Sequence, residues 1–269
     1  MMPGHFPSVG YLLTTCNDVD NAKEMWPSFK ESIPAGSIWA FVAIDGLSTD
    51  GSVEWWQQQG IAITHSELMP PESLKDFLGG RLPSDLRHLS IALNVGIKQL
   101  KERNCQYVAW LHTDMKFPQE GWAEKLVEKF ATVEAVGKAS PIWSMHEDVF
   151  KNDPEGNHNG NTCPWIIPVG VFDAVAEKRL ELHGSECKSC SRAETCPRWF
   201  CEKFVKIGGR EDWDMNKVIM ELGLRCVIFH DAVVEHEGEG TRGKRDTSAE
   251  QRHNAGLYYQ RWGQDNPFV

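Results

Sequence analysis

Tyr107-Val108-Ala109-Trp110-Leu111-His112-Thr113-Asp114-Met115 decides how the rest of the chain is read. An apolar run of strand length stops at a His-x-Asp triplet. Lys116-Phe117-Pro118 then leads through Glu120 and Gly121 into a new element. A buried strand that ends in an imidazole and a carboxylate sets both at the rim of a sheet, and in open α/β sheets ligands bind at that rim. One carboxylate there can hold a hard divalent cation, which in turn holds phosphate oxygens. Taken alone, the triplet is equally an ordinary strand end with two solvated polar residues.

The segments around it supply the context. Tyr11-Leu12-Leu13-Thr14-Thr15-Cys16 reads as a first strand and Asn17-Asp18-Val19-Asp20 as the polar turn after it. Asp20 or Asn21 is placed to cap a helix through Met25 and Phe29. Ile38-Trp39-Ala40-Phe41-Val42-Ala43-Ile44 has the continuous apolar character of a strand buried on both faces. It ends at Asp45, and Gly46 to Ser52 turns into a helix around Val53–Trp56. Ile61–Thr64 is a third strand, and a helix from Ser84 to Lys101 carries Asn94 and Gly96. Another helix, Gly121 to Val133, follows the central strand. Strands alternating with helices predict an α/β domain whose mostly parallel sheet has helices on both faces. Thr15, Asp45 and Asp114 then open on one edge.

Downstream the pattern is less regular. Ser140 to Thr162 is polar and reads as a mobile loop, and Trp165–Phe172 returns to the core. A Cys-rich insertion spans residues 183–206, and Gly208-Gly209-Arg210-Glu211-Asp212-Trp213-Asp214 leads into a helix through Leu222. Cys226–Phe229 and Ala232–Val234 flank a turn before Glu235-His236. No repeat or linker divides the chain, so residues 1–269 are expected to form a single domain with that insertion inside it.

Composition bounds the function. The chain is 41% hydrophobic and 25% charged, which fits an ordinary soluble domain. A net charge of −10 speaks against a general nucleic-acid coat. No apolar run approaches the roughly 20 residues that span a bilayer. Met1 to Ser8 lacks the layout of a signal peptide. Eight cysteines without such a signal imply reduced thiols or a metal site, and hence a cytoplasmic protein.

The order of these motifs over residues 9 to 263 resembles the family-2-type glycosyltransferases of the GT-A fold. Leu12-Leu13-Thr14-Thr15-Cys16-Asn17 is similar to that family's first strand and nucleotide loop. Ala43 to Ser52 resembles its Asp-Asp-Gly-Ser-x-Asp-Gly segment, with Gly46 in the place of the second acidic residue. Ala92-Leu93-Asn94-Val95-Gly96 resembles its Asn-x-Gly helix. His112-Thr113-Asp114 stands where the family carries its Asp-x-Asp metal motif, with His112 for the first aspartate. Glu211-Asp212 resembles the Glu-Asp motif that supplies the base, His236 stands where a late histidine completes the metal site, and Tyr258 to Gly263 resembles a closing motif.

The resemblance implies a metal-dependent inverting glycosyltransferase that moves a sugar from a nucleotide-sugar donor to an acceptor hydroxyl. Asp212 is then the base, with Glu211 beside it. Thr15, Asn17, Asp45, Asn94 and His112 meet the donor, and Asp114 and His236 hold Mn2+ or Mg2+. The residue types suit this chemistry, because a cation stabilises a departing diphosphate and a carboxylate at a helix start can take the acceptor's proton. Asp45 and Asp50 are also ordinary turn and cap residues, and Glu211-Asp212 is also an ordinary acidic first helical turn.

Cys187-x-x-Cys190, Cys196 and Cys201 match a closed tetrahedral Zn2+ site, with an iron–sulfur cluster as the second choice and His183 a substitute ligand. Cys16, Cys105, Cys163 and Cys226 stand in apolar contexts and read as core. Two other readings stay open. A nucleotidyltransferase is disfavoured by the acidic Asn17–Asp20 turn; a non-catalytic zinc-bearing binding protein on a degenerate transferase scaffold is favoured by Gly46 and His112. The acceptor is unidentified. Basic residues of the insertion and Arg242-Gly243-Lys244-Arg245 suit an anionic one, including nucleic acid or lipid phosphate.

Overall fold

Four parallel strands set the frame of the computed structural model, which describes residues 8–65, 89–143, 163–188, 194, 196–204, 210–236 and 248–263. β1 (Val9–Thr15) lies between β2 (Trp39–Asp45) and β4 (Tyr107–Leu111), and β3 (Ile63–His65) extends the sheet beyond β2. Thr15 pairs with Asp45 and Leu13 with Leu111, so the three main strands end on one edge, as their apolar runs predict.

The rest of the sheet is mixed. β5 (Met115–Lys116), β6 (Val136–Trp143), β7 (Trp165–Pro168) and β8 (Arg225–His236) complete eight strands in the order β3-β2-β1-β4-β7-β6-β8-β5. β7 runs antiparallel to both β4 and β6, whereas β6 and β8 are parallel. Ser140 to Trp143, expected in a loop, belongs to β6; residues 144–162 of that expectation lie outside the described residues. The expected turn after Phe229 is a bulge in one continuous strand, since Pro141 pairs with Phe229 and Ile142 with Val233.

Both faces of the parallel half carry helices. α1 (Val19–Ser32) buries Ala22, Met25, Trp26 and Phe29, the spacing of one helical face. Phe29 meets Tyr11 edge-on at 4.9 Å between ring centroids, and Trp26 meets the Trp56 ring of α2 (Ser52–Gln58) at 5.4 Å. Successive strand side chains alternate faces. Leu12 therefore points away from Tyr11 and meets α3 (Leu89–Glu102) at Gly96.

α4 (Trp122–Thr132) covers β6 and β8. α5 (Val169–Lys188) starts directly after β7, so the expected return to the core at Trp165–Phe172 is strand only as far as Pro168. α5 bends at His183 and runs into the segment expected to be the Cys-rich insertion. α6 (Glu211–Glu221) and α7 (Ser248–Trp262) complete the described helices. None of them is long and apolar enough to cross a membrane.

Close approach explains Gly96. A Cβ there would sit 2.1 Å from Leu12 Cδ1, and Leu12 is fully buried with little room to yield. Gly96→Ala is therefore expected to destabilise the protein by about 1–3 kcal/mol. Urea unfolding checks this, and an unchanged midpoint would show that α3 can shift outward freely.

Candidate active site

The loops after β1 and β2 are tied into one unit at the shared edge. Gly46 N–H donates to the Thr15 carbonyl at 2.8 Å, and Asn17 N–H to Ser48 Oγ at 2.8 Å. Asn17, in the left-handed region at φ 52°, accepts Thr49 N–H on its Oδ1 at 2.7 Å. Asp50 accepts Val19 N–H at 2.9 Å and Ser52 N–H at 3.0 Å, so one carboxylate serves the starts of both α1 and α2. This corrects the expectation that Asp20 or Asn21 caps α1. Burial alone would push the Asp50 carboxyl up, but these bonds outweigh it and lower it. Asp45 is fully buried and accepts Ser48 N–H at 2.9 Å, with His65 Nδ1 at 3.2 Å. Thr15 lies beside it with a buried hydroxyl.

Beyond β4 the chain carries His112 and Asp114, and β8 ends at His236, opposite Met115 in the register. His236 Nε2 lies 3.2 Å from Asp114 Oδ1, and His112 Nδ1 lies 3.8 Å from the same oxygen. One ligand atom from each residue falls within 4.8 Å of the others, and among the described residues no other such group of three is found. Burial would raise the Asp114 carboxyl, but the His236 hydrogen bond and the His112 charge hold it well below the usual range. Two nitrogens and a carboxylate oxygen converging from two strands suit Mn2+, which accepts such mixed donors. His112, expected on the donor side, stands by geometry with Asp114 and His236.

Cys163, expected in the core and buried there, lies at this edge. β7 is antiparallel to β4, so its leading residue, Cys163, returns to the edge where β4 ends. The Cys163 thiol donates to the Trp110 carbonyl at 3.4 Å. Burial pushes this thiol well up, the charges of Asp114 and Asp212 push it the same way, and Lys138 opposes them. A thiol held neutral is a weak donor and a poor nucleophile.

Asp212 stands in the first turn of α6 and accepts Trp213 N–H at 2.9 Å. Lys138, from β6, is buried under that helix and donates to Asn216 Oδ1 at 2.9 Å, one turn beyond Asp212. Burial pushes the Lys138 ammonium down, and the Cys226 thiol and the Asp212 carboxylate oppose the shift. Glu211 is buried, with 3% exposure. Asp214, two residues past Asp212, faces away from the edge. It pairs with Arg179 of α5, accepts from Arg261 Nη1 of α7 at 3.0 Å and accepts from Trp262 Nε1 at 3.0 Å.

Two further groups of expected residues lie elsewhere. The Asn94 amide is held inside the fold: its Nδ2 donates to the Phe200 carbonyl at 3.0 Å and to Glu202 at 2.9 Å, while its Oδ1 accepts Phe200 N–H at 2.9 Å. With these bonds it ties α3 to the Phe200 segment. Cys187, Cys196 and Cys201 line a common pocket with Arg179 and Arg261, but their sulfurs do not gather as the three ligands of the histidine–aspartate group do. Arg261 Nη2 donates to Cys201 Sγ at 3.1 Å. Cys190, Gly208-Gly209 and Arg242 to Arg245 lie outside the described residues.

This architecture is that of the GT-A glycosyltransferases, a fold with many solved examples. Among them, glucosyl-3-phosphoglycerate synthase from Mycobacterium tuberculosis with Mg2+ and UDP matches at TM-score 0.56 and 11% identity, over 97% of this chain and 81% of that one. A mannosyltransferase from Pyrobaculum calidifontis with GDP-Man and Mn2+ matches at 0.58 and 15%, over 96% and 70%. The mycobacterial synthase with Mn2+, UDP-glucose and phosphoglyceric acid matches at 0.52 and 14%, over 97% and 81%. At these identities the likeness is one of fold. No protein-family model and no curated protein matches the sequence.

The buried Asp214 carboxylate yields a signed prediction. Burial would raise its pKa, but Arg179 and Arg261 bring it down to about 2, against about 3.9 in an unfolded chain. A depressed carboxylate stabilises the fold above its unfolded pKa and loses that contribution as pH falls through the folded value. Asp214→Asn is expected to cost about 3–5 kcal/mol near neutrality, because two buried guanidiniums lose their counter-charge. The deficit should shrink between about pH 4 and pH 2, which urea unfolding at several pH values would measure. Parallel stability curves for the two proteins would contradict the ion-pair account.

Proposed function

We propose that the chain, read as one catalytic domain, is a metal-dependent glycosyltransferase that moves a sugar from a nucleotide-sugar donor to an acceptor hydroxyl with inversion. The observation that carries this reading is the convergence of His112, Asp114 and His236, one ligand atom from each within 4.8 Å of the others, at the strand-end edge of a GT-A sheet. The solved relatives of this fold support the donor class, since the mannosyltransferase was solved with GDP-Man and Mn2+ and the synthase with UDP-glucose.

In this reading Asp114 and His236, joined by His112, hold Mn2+ or Mg2+. When bound, the cation supplies charge stabilisation to the departing diphosphate. The tied loops carrying Thr15, Asn17 and Asp45 form the floor for the nucleoside. Their mutual hydrogen bonds fix the backbone before the donor arrives, which lowers the entropic cost of binding. Asn94 supports the site from within the fold.

Asp212 takes the proton from the acceptor hydroxyl as that oxygen attacks the anomeric carbon. Lys138 fixes the same helix through Asn216. Glu211 supports the same turn. A carboxylate base on the acceptor side, with Cys163 held neutral, favours a single displacement and hence inversion. The free thiols among the described residues, Cys16 included, fit a cytoplasmic enzyme.

A structural zinc on Cys187, Cys190, Cys196 and Cys201 is a separate part of the reading, supported by three of these residues lining one pocket. Elemental analysis of the purified protein should find about one zinc per chain. Iron or no metal would remove it.

Two variants test the transfer chemistry. Asp212→Asn should lower turnover by about 10²–10⁴-fold and leave metal-dependent nucleoside diphosphate binding intact. Asp114→Ala should abolish the dependence of that binding on Mn2+. Near-normal transfer by the first, retained anomeric configuration in the product, or unchanged metal dependence in the second would each overturn the matching assignment.

A further inference from the structure

Arg210 immediately precedes α6, with φ at 78° in the left-handed region. For a side chain with a Cβ this conformation is disfavoured, because the Cβ crowds the following carbonyl oxygen. Such a residue near a reaction site is a reason to ask what the strain positions. Here it lays the Arg210 guanidinium flat on the Trp213 ring, 3.6 Å from the centroid.

The other arginines of this region are engaged. Arg179 and Arg261 both pair with Asp214. Arg210 differs: its Nε is buried and makes no hydrogen bond, and among the described residues no carboxylate pairs with it. Next to it lies Tyr258 of α7, fully buried, with its ring edge-on to Trp213 at 5.7 Å. The Tyr258 hydroxyl is also buried without a hydrogen-bond partner. Burial and the Asp214 charge push this phenol up, and Arg210 opposes them, so it remains a donor. The Asp212 carboxylate acts on the same hydroxyl.

A stacked guanidinium whose Nε–H is unused and a buried O–H thus flank the start of the helix that carries Asp212. Every unused group in this set is a donor, and a guanidinium edge matches a carboxylate or phosphate with two parallel hydrogen bonds. We propose that Arg210, supported by Trp213 and Tyr258, is the anion-holding residue of the acceptor subsite, so that the acceptor carries a carboxylate or phosphate near its reacting hydroxyl. This rests on the glycosyltransferase reading only for the word acceptor; the anion site itself stands on these three side chains.

The test compares glucose, glucuronate and glucose 6-phosphate as probes in calorimetric titrations, with and without saturating Mn2+ and UDP or GDP. At least one anionic probe is expected to bind about 10- to 100-fold more tightly than glucose, the range of a charge-assisted hydrogen bond. Preference for glucuronate alone assigns a carboxylate, and preference for glucose 6-phosphate alone a phosphate. Arg210→Gln should erase the difference while leaving nucleoside diphosphate affinity unchanged. Tyr258→Phe, which keeps the ring and removes the hydroxyl, should reduce it several-fold, and it decides the matter if the first variant does not fold. Equal binding of all three probes, or a preference that survives these substitutions, overturns the proposal. Failure of the wild-type protein to bind either nucleotide with Mn2+ counts against the glycosyltransferase reading instead, and the anion preference is still read without nucleotide.

Discussion

One carboxylate, buried and held between two guanidiniums, governs the second half of the molecule. Asp214 is reached by Arg179 from α5 and by Arg261 and Trp262 from α7. A lone buried charge of this kind is prohibitive, and a pair offsets the desolvation only with good geometry and further hydrogen bonds. Here the further bonds exist: Arg179 Nε donates to the Arg198 carbonyl at 2.9 Å, and Arg261 Nη2 to Glu186 at 2.7 Å. Removing any member leaves the others uncompensated, so α5, α6 and α7 are held in one arrangement. The orientation of Asp212 follows from that arrangement, two residues up the same helix.

The first half is organised by different physics. β1, β2 and β4 are covered on both faces by apolar side chains, and their register needs no charged contact. The polar interactions there begin where the strands end. Asn17, Ser48, Thr49 and Asp50 bind one loop to the other, and Ser48 also binds Asp45 at the end of its own strand. The Asp114 edge is therefore preset by backbone pairing and the Asp212 helix by buried charge. Cys163 is buried at the Asp114 edge, where its thiol donates to the Trp110 carbonyl and burial keeps it neutral.

Sequence showed the first half more readily than the second for the same reasons. Continuous apolar runs such as Phe41–Ile44 announce buried parallel strands, and their ends announced Thr15, Asp45 and Asp114. β6 was hidden because Lys138, Ser140 and Pro141 interrupt its apolar character, although Lys138 is itself buried and bonded to Asn216. The β8 bulge was read as a turn because His230 and Asp231 break the strand pattern. His236 and Asp114 were proposed together from motif order, and the register places Met115 opposite His236. Asn94 is expected at the donor, because an amide that closes a gap to Phe200 leaves the same letter in a helix as one that meets a ligand. Arg210 gave no signal, since neither its backbone conformation nor its stacking on Trp213 is written in a composition pattern.

The anchoring of α6 by Arg261 and Trp262 also orders events during synthesis. A nascent chain can pair β1, β2 and β4 as soon as residues up to 111 are available, because those contacts lie entirely within them. The helix carrying Asp212 leaves the ribosome well before its partner charge at residue 261. Until that segment follows, Asp214 has Arg179 as its one guanidinium partner, and the third side of the cluster is open to water. The helix that carries Asp212 thus gains its last anchor late, and a chain interrupted shortly before Tyr258 would keep the paired edge of β1, β2 and β4 while leaving that helix without a fixed seat.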